Sequence, residues 1–400
     1  MTVYLDHAAT TPLRPEAREA WVRAHEVLGN PSSIHAAGQT ARRLLEDARE
    51  RVAALLDADP IEIVFTSGGT EAVNLALKGL WWARTPDSVA IVLPGGEHHA
   101  TLDTVEWLTR VAGAEVRDVP LDEVGRITVS DFADAAPGAA LATALVANNE
   151  VGALNDVAAL AAAAAAAGVP LHVDAIAALG RVPVVFRGWR GEASGPTGLV
   201  ALSVAAHKVG GPVGVGALVV SRHARIEPLL HGGGQQRGLR AGTQDVAGSV
   251  AFAVALEAAE LERLREVERL RELSDRLIRG ILETVPDAQI LGPPSVGGPV
   301  TRLPGNVHVL FPGAAGETLL FLLDQAGIAV STGSACQAGI AEPSHVVLAL
   351  GRTPLEARQV LRFSLGRTST PSDVDAVLGH LPAAVERARA ASGVRTATRS

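Results

Sequence analysis

The chain has 400 residues, 48% hydrophobic and 20% charged, with a formal net charge of −8. This describes an ordinary globular protein long enough for two or three packing units, and the acidic balance without a basic run argues against nucleic acid as the main partner. The single cysteine, Cys336, excludes an internal disulfide and any cysteine-cluster metal site.

In chain order, the opening "MTVYLDHAATTP" lacks the basic and apolar regions of a secretory signal. The most apolar run, "DVAALAAAAAAAGVPLHVDA", is broken by Gly168, Pro170, His172 and Asp174, too often to span a bilayer. The expectation is a soluble, cytoplasmic protein handling small molecules in a reducing compartment.

From about residue 60 to 220, strand-length apolar runs alternate with helical patterns, the signature of βαβ units. "EIVFTS" reads as a strand before the helix "GGTEAVNLALKGLWWA", and "VAIVLPG" as a strand before the helix "ATLDTVEWLTRVAGA". "ALATALVA", "VPLHVD", "LVALSV" and "GVGALVVS" are further strands, and "DVAALAAAAAAAG" is a helix with an acidic start and a glycine stop. A mostly parallel sheet between helices follows. From Val254 to Leu282, apolar positions 261, 264, 267, 270, 273, 277, 278 and 281 predict a long amphipathic helix linking two domains. "LGPPSVGGPVTRLPG" reads as a loop. A smaller α+β unit follows, and "ASGVRTATRS" reads as a frayed tail.

Of 35 basic residues only Lys78 and Lys208 are lysines. Lys208 stands in the apolar, glycine-rich run "SVAAHKVGGPVGVGALVV", where a charge is costly to bury. Unlike arginine, lysine can lose its proton and attack a carbonyl, and burial makes that easier. The residue is either a Schiff-base lysine or one whose stem packs while its ammonium reaches solvent. Lys78, ending a helix, reads as a surface residue. A Schiff base to pyridoxal phosphate (PLP) also needs an acid for the pyridine nitrogen. Asp174, ending "VPLHVD", could serve, or could be a turn residue. The phosphate needs a helix N-terminus, and "TSGGTEAVNLAL" offers Gly68, Gly69 and Thr70. "EHH", at 97–99, offers an imidazole to stack or relay protons, and its geometry disfavours a metal site. Asn148 and Asn149 follow a strand, where ligands of such sheets gather, or else form a turn. "HGGGQQRGLRAGTQD" reads as a mobile loop with anion-binding potential. Cys336, among the small residues of "STGSACQAG", is a candidate nucleophile. Arg362 in "LRFSLGR" would want a carboxylate.

Together these segments resemble the cysteine desulfurases, PLP enzymes of the NifS/IscS type in the class V aminotransferase group. The resemblance runs in order from "YLDHAATTP" through "GNPSSIH", "IVFTSGGTEAVNLA", "EHHATLDT", "ANNEVG", "HVDA", "AHKVGGPVGVGAL", "HGGGQQRGLRAGT" and "STGSACQAG" to "RFSLGR". The stretch from "SxGSAC" to "EPSHVVLALG" resembles the branch with an extended cysteine loop.

The resemblance implies an α/β fold of the PLP-dependent transferase type I, like aspartate aminotransferase, with a mostly parallel seven-stranded sheet and a smaller C-terminal α+β domain. A large domain over 15–255, a small domain from 1–14 with 256–390, and a tail over 391–400 are expected. Lys208 would hold PLP and move the Cα proton of L-cysteine, and His98 would stack on the ring and assist. Asp174 would pair with the ring nitrogen, and Asn149 would lie near the ring hydroxyl and substrate. Gly69, Thr70 and His207 would receive the phosphate, joined by Thr243 from the second subunit of a homodimer. Arg362 would clamp the substrate carboxylate, and Cys336 would take the sulfur as a persulfide. The sulfur would pass to an acceptor such as an iron–sulfur scaffold, or to tRNA thiolation. Two departures stand out: Ala177 replaces a glutamine bonding the cofactor, and "AAHK" replaces "SGHK", so Ala205 lacks a phosphate-binding hydroxyl. They predict weaker cofactor retention. A selenocysteine lyase or other β-eliminase, and a scaffold without activity, are the alternative readings.

Overall fold

The computed structural model describes residues 2–294, 301–333 and 342–393. The chain begins with β1 (Val3–Tyr4), α1 (Pro15–His25) and α2 (Ala36–Leu55). It then builds β2 (Ile63–Thr66), α3 (Gly69–Trp82), β3 (Ala90–Pro94), α4 (His99–Ala112), β4 (Glu115–Val119), α5 (Val129–Ala135) and β5 (Leu141–Leu145). α6 (Val157–Ala166), β6 (Pro170–Asp174), α7 (Phe186–Arg190), β7 (Gly198–Ala205) and β8 (Gly216–Val220) complete one sheet of seven strands, ordered β2-β8-β7-β6-β5-β3-β4. β8 runs antiparallel to both neighbours; the other pairings are parallel. Every residue of β5 and β7 is buried, because helices cover both faces, so these strands read as unbroken apolar runs rather than alternations. The punctuation is local too. Asp156 caps α6 by accepting from Ala159 N, and Gly113 ends α4 with φ 72°.

Both edges of this sheet are guarded. Along β2, Phe65 N donates to Gln236 Oε1 at 2.7 Å and Gln236 Nε2 donates to Phe65 O at 2.8 Å, while Arg49 donates to Ile63 O. One glutamine side chain thus stands in for a neighbouring strand. The opposite edge, β4, is "EVRDV", whose charged residues keep another strand from docking. That strand escaped sequence reading for the same reason: it has no apolar run.

The long helix α8 (Val246–Thr284) begins at Val246, not Val254, capped by Asp245. Its early turns are buried and show no stripe. Phe252, Ala253, Ala255, Leu256 and Ala259 pack into the core of the seven-stranded sheet. Leu270, Leu273, Leu277, Ile278 and Ile281 pack into a second core. The predicted continuous stripe fails between the two, where Leu261 is 90% and Leu264 77% exposed, because the helix changes partners there.

The second core gathers around β9 (Gln289–Leu291), β10 (Asn306–Leu310), α9 (Gly316–Gln325), β11 (Ile328–Ala329), β12 (Val360–Ser364) and α11 (Pro371–Ala391), while α10 (His345–Ala349) packs Val346 and Val347 into a smaller cluster with Val151 and Leu310. β9 and β12 flank β10 antiparallel, and β1 pairs parallel with β11. Leu5 is buried in this core, so the chain's start joins its last third. Of the predicted tail, 394–400 lie outside the described residues.

Candidate active site

A cavity of about 390 Å³ opens where the C-terminal ends of the parallel strands meet the start of the chain and β12, a size suited to small-molecule ligands. Gly69, Thr70, His98, Asn149, Asp174, His207, Lys208 and Arg362 all line it. Eight of the ten predicted site residues, from six separate stretches of sequence, therefore share one space.

Lys208 ends a single 3-10 turn (Ala206–Lys208) immediately after β7. The fully buried strand fixes its backbone, and Nζ donates to Ala8 O and, at 3.0 Å, to Ala9 O. Burial, with the Arg362 cation second, lowers the amine to about 8, against the opposing pull of Asp174 and Asp6. Its competitor in the sequence, Lys78, stands 4.5 Å over the Trp107 ring, away from the cavity. Asp174 closes β6 and is 3% exposed. Its Oδ1 accepts from Ile176 N at 2.8 Å, and among the described residues it enters no ion pair. Burial raises it to about 6. A buried carboxylate without a cation facing a primary amine across one cavity is what a protonated ring nitrogen would need.

The turn into α3 supplies the anion end. Gly68 has φ 152°, where a side chain is rarely tolerated, and a Cβ on Gly69 would lie 2.2 Å from Ile176 Cδ1. A Cβ on Gly216 would meet the Gly68 backbone at 2.7 Å, so Gly68 and Gly216 let the helix N-terminus sit against β8 while Gly69 makes room for Ile176. Thr70 and His207 flank it. Burial, with Lys208 second, drops His207 to about 4, so it faces the cavity neutral. His98 caps α4 through Nδ1, which accepts from Ala100 N at 3.0 Å, leaving its proton on Nε2. Burial and then Lys208 lower it to about 4. Ala205 is fully buried at the end of β7, and its Cβ lies 3.5 Å from where a Cβ on Gly69 would stand. Ala177 lines the cavity and also a space of about 20 Å³ behind it, beside His7 and Arg181.

On the opposite wall Arg362 donates to Asn149 O at 3.1 Å and to Asp6 Oδ1 at 2.9 Å. Its Nε is buried without a partner among the described residues. Thr243 is exposed in this chain and does not reach the cavity, and Cys336 lies outside the described residues.

Three acids escaped the sequence reading. Glu97, beside the histidines that drew attention, is fully buried. Its Oε1 accepts from Leu145 N at 2.9 Å, its Oε2 has no partner among the described residues, and burial, then the Asp174 charge, raises it well above the carboxylate range. Glu150 is buried, raised by burial, and accepts from Ser344 Oγ at 2.5 Å. Asp6 lies 356 positions from the arginine it holds. Only Glu97 carried a local signal, an acid immediately before a candidate imidazole. Among the described residues no cluster of histidine, cysteine and acid could hold a metal ion, and no helix is long and apolar enough to cross a membrane.

The aminotransferase class-V family matches residues 3–377. The chain is 47% identical to the IscS-like cysteine desulfurase of Mycobacterium tuberculosis, covering 97% of this chain and 98% of the other. It is 42% identical to a cysteine desulfurase of Cereibacter sphaeroides over 98% and 97% of the two chains. Among solved structures it is similar to a NifS-like protein with a TM-score of 0.86 at 32% identity, covering 97% of this chain and all of that one. It is also similar to SspA in complex with cysteine, with a TM-score of 0.75 at 28% identity, covering 91% and 99%.

Proposed function

From a chain that belongs to the class-V aminotransferases, and within them to the cysteine desulfurases, we propose a PLP enzyme that converts L-cysteine to L-alanine and passes the sulfur to its own Cys336. The fold is the α/β type I of PLP-dependent transferases. The observation that carries the reading is the cavity shared by the Lys208 amine and the cation-free Asp174 carboxylate.

The residues present fit the cofactor. Lys208 would bind its aldehyde carbon, Asp174 its ring nitrogen and His98 its face, while Gly69, Thr70 and His207 at the head of α3 would receive the phosphate. Thr243 of a second copy in a homodimer would complete that end. When bound, PLP supplies an electron sink conjugated to the substrate Cα. Every other task falls to the chain. Arg362, beside Asn149, clamps the substrate carboxylate. Lys208, with its amine lowered to about 8, takes and returns the Cα proton near neutral pH. His98, neutral with its proton on Nε2, assists that transfer. The Cys336 thiolate forms a bond to the substrate sulfur as the sulfur–Cβ bond breaks, and the electron pair left on Cβ takes a proton to give alanine. The persulfide then serves an acceptor protein such as an iron–sulfur scaffold, or one for tRNA thiolation. The division into 15–255 and 1–14 with 256–390 belongs to the same proposal.

Purified protein given PLP, L-cysteine and a reductant is expected to form alanine and sulfide in equal amounts. Cys336→Ser should retain PLP and lose sulfide formation. A selenocysteine lyase or another β-eliminase would keep working without that thiol, and a scaffold would form no alanine at all.

The alanine at position 177 yields a separate expectation. Ala177→Gln restores an amide to the cavity wall, and one recovered hydrogen bond of about 1 kcal/mol tightens PLP roughly fivefold. Absorbance titration of cofactor-free protein measures this, and an unchanged affinity would show that the missing amide does not govern retention.

A further inference from the structure

Arg362 is set on β12 among buried neighbours, with only 6% of its side chain exposed. A guanidinium offers five N–H donors in a rigid plane, but the plane itself turns freely unless something holds it. Here Asp6 Oδ1 accepts from Nη2 at 2.9 Å, Asn149 O accepts from Nη1 at 3.1 Å, and Nε–H is buried without a partner among the described residues. The two holding groups differ in kind. Asn149 O belongs to the turn after β5 on the large sheet. Asp6 is bound to the strand that carries Arg362: it bridges Ser364 in parallel register, Ser364 N donates to Leu5 O at 2.8 Å, and Ala8 N donates to Ser364 Oγ at 2.9 Å. Asp6 and Arg362 therefore form one unit whatever the rest of the wall does. The next residues, Ala8 and Ala9, give their carbonyls to Lys208 Nζ, so the same short segment touches both cations of the cavity.

We propose that Asp6 is a positioning residue that fixes the plane of Arg362 so that its remaining donors meet the substrate's α-carboxylate. The proposal rests on the desulfurase reading for the identity of the substrate. A bidentate fork works only if its plane is set before the ligand arrives, and a charge-assisted bond within one rigid unit sets it. The rival role is that of a resident anion competing with the substrate for the same cation. The two differ in sign.

The test uses PLP-loaded protein and two variants. Asp6→Ala is expected to raise KM for L-cysteine about tenfold, the loss of one hydrogen bond to a charged group, with kcat within about twofold of wild type. Asp6→Asn keeps an oxygen acceptor at the same place and should recover most of that loss. PLP affinity should be unchanged in both. A lower KM in either variant would overturn the proposal in favour of the competing anion. A joint fall of kcat and PLP affinity would overturn it in favour of a merely structural role. Binding of L-alanine to the loaded protein, followed by absorbance, separates this from the desulfurase reading. If wild type forms no alanine from cysteine, that reading fails, while a tenfold weaker L-alanine affinity in Asp6→Ala still supports the role of Asp6 and an unchanged one removes it.

Discussion

Lys208→Arg protein is expected to fold normally and to lose turnover by at least about 10⁴-fold, the upper range for removing one positioned proton-transfer group. The change keeps the cation and the N–H donors that reach Ala8 O and Ala9 O, so the wall they form remains. What disappears is the ability to shed a proton, since a guanidinium stays protonated at any workable pH. Loss of activity with retained thermal stability and loss of the borohydride-sensitive yellow colour would tie the effect to the amine. Sulfide formation within tenfold of wild type would dismiss Lys208 from the chemistry. The pH dependence gives the same residue a second signature. Because burial lowers the amine to about 8 from its ordinary 10.5, PLP capture by cofactor-free protein should quicken with pH and level off near 8. An exposed lysine would go on quickening toward 10.5.

Asp174→Asn is expected to cost about 10²–10³-fold in kcat, the range for losing one preorganised electrostatic partner of the reacting group. The same variant should be more stable than wild type without cofactor. The sign follows from the direction of the shift. Burial raises Asp174 from 3.8 to about 6, so between those values the folded protein holds more protons than the unfolded one, and stability falls as pH rises through that window. The cost reaches about 3 kcal/mol above pH 6. The asparagine carries no such charge, and its side-chain oxygen can still accept from Ile176 N. Melting of the two cofactor-free proteins should differ at pH 7.5 and converge below pH 4. Equal melting at both values would mean that the carboxylate is not strained. Activity lost with stability gained is the mark of a group held for its partner rather than for the fold.

How much of this was legible in the sequence depended on the distance over which each residue acts. Six of the seven strands of the large sheet, the glycine turn before α3 and the lysine after β7 could be read because strand burial, backbone freedom and amine chemistry are properties of one short stretch. Asp174 was legible as a strand-end acid, and only the fold set it across from Lys208. The exposed leucines of α8 misled because periodicity counts apolar residues without knowing that the helix changes partners between its two halves. Asp6 could not be found at all: nothing in "YLDH" points to an arginine 356 positions on. Glu97 and Glu150 were hidden differently, since an acid earns attention only once its burial is known.

The glutamine that completes the margin of β2 belongs to the segment that also bears Thr243, seven positions further on. Its own φ of 50°, with 61° at Arg237, shows the backbone bent to bring that amide into place. A single tether thus covers the backbone of this sheet edge and holds in register the segment whose Thr243 is proposed to reach a second copy. Under the proposed homodimer, cutting that tether would bare a strand edge and displace the proposed phosphate contact at once, so the two faults would emerge together.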